Sequence, residues 1–103
     1  MEFDFWIKTN DLDTARQLVE RATGLKAIKL HNIDLGGTYY SFPAPHGEIV
    51  ELISNRDLFD NQPYIDGYKN ISLILFVRDA SEESKISQDL GRDTDHFILI
   101  KKT

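Results

Sequence analysis

The sequence predicts an α+β domain, an antiparallel sheet with two helices on one face, and three observations carry that expectation. Phe3, Phe5 and Ile7 alternate with Asp4, Trp6 and Lys8, the period of two of a strand that buries one face. Leu12, Ala15, Leu18, Val19 and Ala22 fall on one helical stripe, and Gly24 follows as a left-handed stop. Between residues 26 and 53, three short runs of strand character are separated by glycine and proline turns, the pattern of a meander.

Taken in order, the first strand is followed by Asn10, which can cap the helix by accepting from its first amides. Lys26 to Asp34 returns to strand character with Ile28 and Leu30 on one face. Gly36-Gly37 then supplies the positive φ angles of a tight hairpin. Thr38 to Phe42 forms the third strand. Pro43-Ala44-Pro45-His46-Gly47 cannot continue a paired strand, because each proline lacks an amide donor, so it turns the chain into Glu48 to Ile53.

Residues 54–68 have no clean period and read as a long ordered loop, a kind of segment that is often functional. Ile71 to Val77 is apolar almost without a break, as in a central strand covered on both faces. A second helix is expected after Asp79, with Glu82 three residues on as a capping box, running to Gly91 with Ala80, Ile86 and Leu90 inward. His96 to Ile100 closes the chain as a last strand. The expected order is βαβββαβ, a ferredoxin-like variant with an inserted strand and both helices on one face.

At 103 residues the chain is one domain's length, 1–103, and 41% hydrophobic content is enough for a single core. Seventeen acidic against twelve basic side chains give a net charge of -5. That disfavours a phosphate backbone and favours a cationic surface, so a basic protein is the expected partner rather than nucleic acid. The absence of cysteine excludes disulfides, thiolate catalysis and Cys-based zinc sites. No basic start precedes an apolar run, and Leu73 to Val77 is far shorter than the roughly 20 residues of a bilayer span, so a cytoplasmic protein off the membrane is expected.

Chemistry finds little purchase in the sequence. His31, His46 and His96 show no metal-ligand spacing, and His46-Gly47-Glu48 brings only two ligands to a turn, so no metal or cofactor is expected. No hydroxyl sits in a nucleophile turn, and Gly36-Gly37 precedes a strand rather than a helix, so it makes no phosphate site. Glu48 with Glu51, and Glu82 with Glu83, lie where solvated faces are expected. No catalytic residue is assigned, and the chain is expected to bind rather than catalyse.

The candidate partner-binding residues lie mainly in the long loop. There Asp57, Asp60 and Asp66 are interleaved with Phe59, Tyr64 and Tyr68, negative charge around aromatic anchors, which suits a Lys- or Arg-rich partner. Glu48, Glu51 and Trp6 join them; Trp6 is the single tryptophan and lies on the strand face shared with Asp4 and Lys8. The alternative for Trp6 is burial beneath a helix or the long loop, and the alternative for Phe59 and Tyr64 is a cap on the open end of the core.

The segments Phe5-Trp6-Ile7-Lys8-Thr9-Asn10-Asp11-Leu12, Ala15-Arg16 and Ala22-Thr23-Gly24-Leu25, with Gly37-Thr38-Tyr39-Tyr40 and Gly47-Glu48-Ile49-Val50, resemble small bacterial immunity proteins encoded beside polymorphic and contact-dependent growth inhibition toxins. The likeness covers roughly the first half of the chain. It implies neutralisation of a cognate toxin's C-terminal domain by direct binding in the cytoplasm; many such toxins are nucleases with basic clefts, which an acidic inhibitor would occlude. Two other readings stand beside it: a small-molecule-binding or regulatory ferredoxin-like module that dimerises through its sheet, and a diverged vicinal-oxygen-chelate enzyme using His46 or His96. The first half is similar to the βαβββ unit of the latter family, and Glu51 could supply its glutamate, but Phe3-Asp4-Phe5-Trp6-Ile7 lacks its first-strand histidine.

Overall fold

Among the described residues six strands form one antiparallel sheet in the spatial order Ile28–Asn32, Gly37–Ser41, Ile49–Ser54, Leu73–Arg78, Phe3–Ile7, Phe97–Lys102, and both helices pack against one of its faces around a shared core. The computed structural model describes residues 1–35, 37–55 and 71–103. The elements are β1 (Phe3–Ile7), α1 (Leu12–Thr23), β2 (Ile28–Asn32), β3 (Gly37–Ser41), β4 (Ile49–Ser54), β5 (Leu73–Arg78), α2 (Lys85–Arg92) and β6 (Phe97–Lys102). The α+β class and the two helices on one face are therefore as expected. The central strand expected at Ile71 to Val77 is present as Leu73–Arg78; the order βαβββαβ is one strand short of the six runs of strand character, and the described residues run βαββββαβ.

β5 lies between β4 and β1, pairing Leu75 with Leu52 on one side and with Phe5 on the other. Its unbroken apolar run follows from that position, since both of its faces are covered. Toward the helices, Phe5, Ile7, Val50, Leu52, Leu75, Val77 and Phe97 meet Ala15 and Val19 of α1 and Ile86 and Leu90 of α2. On the opposite face a smaller cluster joins Ile53, Ile74 and Phe76, with Leu35, Tyr39 and Ile71 packed against it. Among the described residues no helix is long and apolar enough to cross a membrane.

Three local expectations shift. The α1 cap is Asp11, not Asn10: its carboxylate accepts from the Thr14 amide at 2.9 Å. Thr9 Oγ1 accepts from the Asp11 amide at 3.2 Å, which fixes the approach to the helix. The β2–β3 connection opens with a 3-10 turn at Ile33–Leu35, with the Asp34 amide donating to Asn32 Oδ1 at 3.0 Å. Asn32 pairs with Gly37 across it, so the loop is longer than a two-residue turn, while Gly37 does adopt a positive φ of 98°.

The second helix begins at Lys85, not after Asp79. Asp79 takes φ 54° and breaks the chain direction, and Ser84 caps instead, its hydroxyl accepting from the Ser87 amide at 3.3 Å. The Asp79/Glu82 spacing resembled a capping box, but a residue with positive φ cannot occupy the extended cap position. Removing this hydroxyl with Ser84→Ala should cost about 1 kcal/mol in urea unfolding. An unchanged midpoint would show that the cap contributes nothing.

Candidate functional site

Two polar loci emerge on opposite faces of the sheet. The first is a cleft at the start of α2. Phe42 is fully buried and its amide donates to Val50 O at 2.9 Å, so the segment from Pro43 to Gly47 must loop outward. Gly47, at φ 84°, then turns the chain back into β4. That loop forms one wall, with His46 and Glu48. The other wall is the segment after β5, where the Ala80 amide donates to Met1 O at 3.1 Å and the Ser84 amide to Ser81 O at 3.1 Å. Asp79, Ser81, Glu83, Ser84 and Lys85 face His46 and Glu48 across a cavity of 340 Å³.

The cleft is acidic. Glu48, Asp79 and Glu83 line it against a single lysine, Lys85, whose Nζ leans 3.8 Å from Asp89 outside this cavity. Glu48 Oε1 is buried and has no hydrogen-bond partner among the described residues. A carboxylate oxygen removed from water without a donor is costly, so the cleft favours an incoming cation that brings N–H groups. A smaller cavity of 110 Å³ adjoins it, sharing His46, Glu48 and Lys85 and extending toward Leu25, Pro45 and Ile86.

The second locus lies on the face away from the helices. Arg78 donates from Nε to Glu2 at 3.2 Å and from Nη1 to Glu51 at 3.0 Å, and its guanidinium stacks 4.4 Å from the Phe76 ring centre. Asp4 sits beside this group at 3% exposure, paired across the sheet with Phe76 and Lys101, and its Oδ1 has no partner among the described residues. Burial pushes the Asp4 carboxyl up to about 7, helped by its hydrogen bond to Glu2 and by the Glu2 charge; Lys101 and Arg78 pull the other way. Glu2 shifts down, chiefly through the hydrogen bond from Asp4 and then through Arg78. The pair thus holds its proton on Asp4 and its charge on Glu2.

These loci sort the expected partner-binding residues. Glu48 lies in the cleft, with His46 beside it as the turn predicted. Glu51 is half-buried rather than solvated, because Arg78 holds it. Trp6 is partly buried on the face opposite the helices, paired with Ile74 and Ile98. Asp4 shares that face but is buried, which strand alternation alone could not reveal. Asp57, Phe59, Asp60, Tyr64, Asp66 and Tyr68 lie outside the described residues.

Asp79, Glu83 and Lys85 were not expected at a site. The tight run of charges after Arg78 is the available signal, and in sequence it reads as helix capping at Asp79 and a solvated face at Glu82 and Glu83. His96 does not line the cleft; its Nδ1 is hydrogen-bonded to Asp93 at 2.9 Å. Among the described residues no three His, Asp or Glu side chains are grouped so as to hold a metal ion. Comparison with known protein families, curated proteins and solved structures returns no match.

Proposed function

We propose that the chain is an immunity protein that binds a cognate basic bacterial toxin, a nuclease-type C-terminal domain, and neutralises it in the cytoplasm by occluding its active site. The observation that supports this most directly is the cleft, lined by Glu48, Asp79 and Glu83, where Glu48 keeps a buried oxygen without a partner among the described residues. A lysine or arginine from a basic surface answers both features, supplying positive charge and donors at once. The net charge of -5 extends the attraction beyond the contact and speeds encounter. No chemical step is assigned to the chain itself.

In this reading the scaffold is a ferredoxin-like variant. β1, α1, β4, β5, α2 and β6 are the frame, and the β2–β3 hairpin extends the sheet beyond β4. The acidic cleft lies where the β3–β4 loop meets the start of α2.

Co-expression with the toxin domain encoded beside its gene tests the proposal: growth should be restored and the two chains should co-purify. The triple variant Glu48→Lys, Asp79→Lys, Glu83→Lys should slow association at low salt by about tenfold or more while circular dichroism is unchanged. Absence of both protection and binding would overturn the function, whereas protection with an unaltered association rate would move the contact away from this cleft.

A further inference from the structure

The two edges of the sheet differ. At the β6 edge the pairing with β1 slips between Asp4 and Phe5, and the strand ends in Lys101 and Lys102. An irregular register and adjacent lysines are ordinary ways of blocking an edge against another strand. The β2 edge has no such slip: five consecutive residues, Ile28 to Asn32, pair with β3 in unbroken register. All five are exposed, including Ile28 at 50% and Leu30 at 39%, and Ile33 just beyond is exposed at 47%.

Charge distinguishes this edge as well. An acidic chain repels its own copy over most of its surface, yet residues 25–33 carry Lys26 and Lys29 and no carboxylate. Asp34 follows directly after. The edge therefore breaks the acidic surface with positive charge and carries both signs in a line, so two antiparallel copies can set opposite charges against each other. We propose that β2 pairs antiparallel with β2 of a second copy about a two-fold axis at Leu30, joining the two sheets.

The register follows from the symmetry of such a contact, in which each residue meets its mirror position in the other copy. Leu30 meets Leu30, Ile28 meets Asn32, and Lys29 meets His31. Beyond the paired residues, Lys26 of each copy comes beside Asp34 of the other, so opposite charges close both ends. Moving the axis one residue pair toward the N-terminus would centre it on Lys29 and set lysine against lysine. The Leu30 register also continues existing packing: Leu30 pairs with Tyr39, which already rests against the Ile53, Ile74 and Phe76 cluster. Joining the copies extends that apolar strip across the axis.

This association is independent of the toxin-binding reading. Sedimentation equilibrium of the full chain over a wide concentration range tests it, the expected result being a reversible species of twice the 11.9 kDa mass. Leu30→Lys, at an exposed site, should leave the melting temperature unchanged at monomeric concentrations and abolish the dimer. Lys26→Asp alone should weaken the dimer about tenfold, because two symmetric pairs are lost. Adding Asp34→Lys in the same chain should restore it. A wild-type chain monomeric at its solubility limit, or a dimer indifferent to Leu30→Lys, overturns the proposal. A monomer whose binding to another protein is lost on Leu30→Lys would also overturn it and assign the edge to a partner's strand.

Discussion

Asp4→Asn is expected to stabilise the protein at pH 8 by on the order of 3 kcal/mol, with a gain that shrinks steadily toward pH 4. Asp4 ionises near its ordinary 3.8 in the unfolded chain but only near 7 when folded, because burial and the Glu2 carboxylate oppose a second negative charge. Folding therefore takes up a proton between those values. The Asp4 contribution is complete below about pH 3.8 and is lost as pH rises through 7. Glu2 acts in the opposite sense, since its lowered value adds stability above its ordinary 4.5 that is lost as pH falls. This partly offsets the Asp4 slope. The amide of Asn donates to Glu2 as the protonated acid does, without the cost of ionisation. Thermal melts from pH 4 to pH 8 would show it, with the variant's advantage at pH 8 worth roughly 10 °C for a domain of this size. An advantage independent of pH would mean that Asp4 is ionised in the fold.

Phe42→Ala should have an effect of similar size and opposite sign, a loss of about 3–5 kcal/mol. The ring is fully buried in the core between the sheet and the helices, and a domain of this kind has only about 5–15 kcal/mol in total. The consequence reaches the cleft. Phe42 anchors the base of the loop that carries His46 and Glu48, so truncation should also slow partner association beyond what the lost stability explains. Phe42→Leu should recover most of the stability by refilling the volume. A loss under about 1 kcal/mol in urea would show that the neighbours collapse into the space.

The elements that sequence periodicity marks most strongly are the ones that bury a single clean stripe. The α1 stripe, the Phe3/Phe5/Ile7 face and the double-sided apolar run of β5 each follow from how many of their faces the fold covers. Ile28 and Leu30 share a face as alternation predicts, yet they are exposed. Periodicity reports which side chains align, not whether anything lies over them.

The caps failed for a different reason. Asn10, Asp11 and Thr9 are all capable acceptors, as are Asp79 and Ser84, and only backbone angles choose among them. The site was less legible still. Glu48 was identifiable from its turn, but the cleft needs Asp79, Glu83 and Lys85, which are 31 to 37 residues further along the chain and come near only because the β3–β4 loop folds toward the start of α2. Likewise Arg78 and Glu51 meet through strand pairing. Asp4 is the clearest case: alternation assigned it to the right face, and only three-dimensional packing showed that a carboxyl is enclosed there.

The closing strands of the sheet have one further consequence. Glu2 and Thr103 exchange two backbone hydrogen bonds, 2.7 Å from the Glu2 amide and 2.9 Å from the Thr103 amide, and from there β6 runs back along β1. A pull applied at residues 1 and 103 loads these bonds, with the Ala80–Met1 bond beside them, before the rest of the β1–β6 ladder. The strands then separate like a zipper, each rung breaking before the next is loaded, instead of sliding past one another with all rungs sharing the force. The domain is consequently mechanically soft along that axis whatever its thermodynamic stability, and traction there opens β6 from its Lys102 end and meets the buried core only at Phe97.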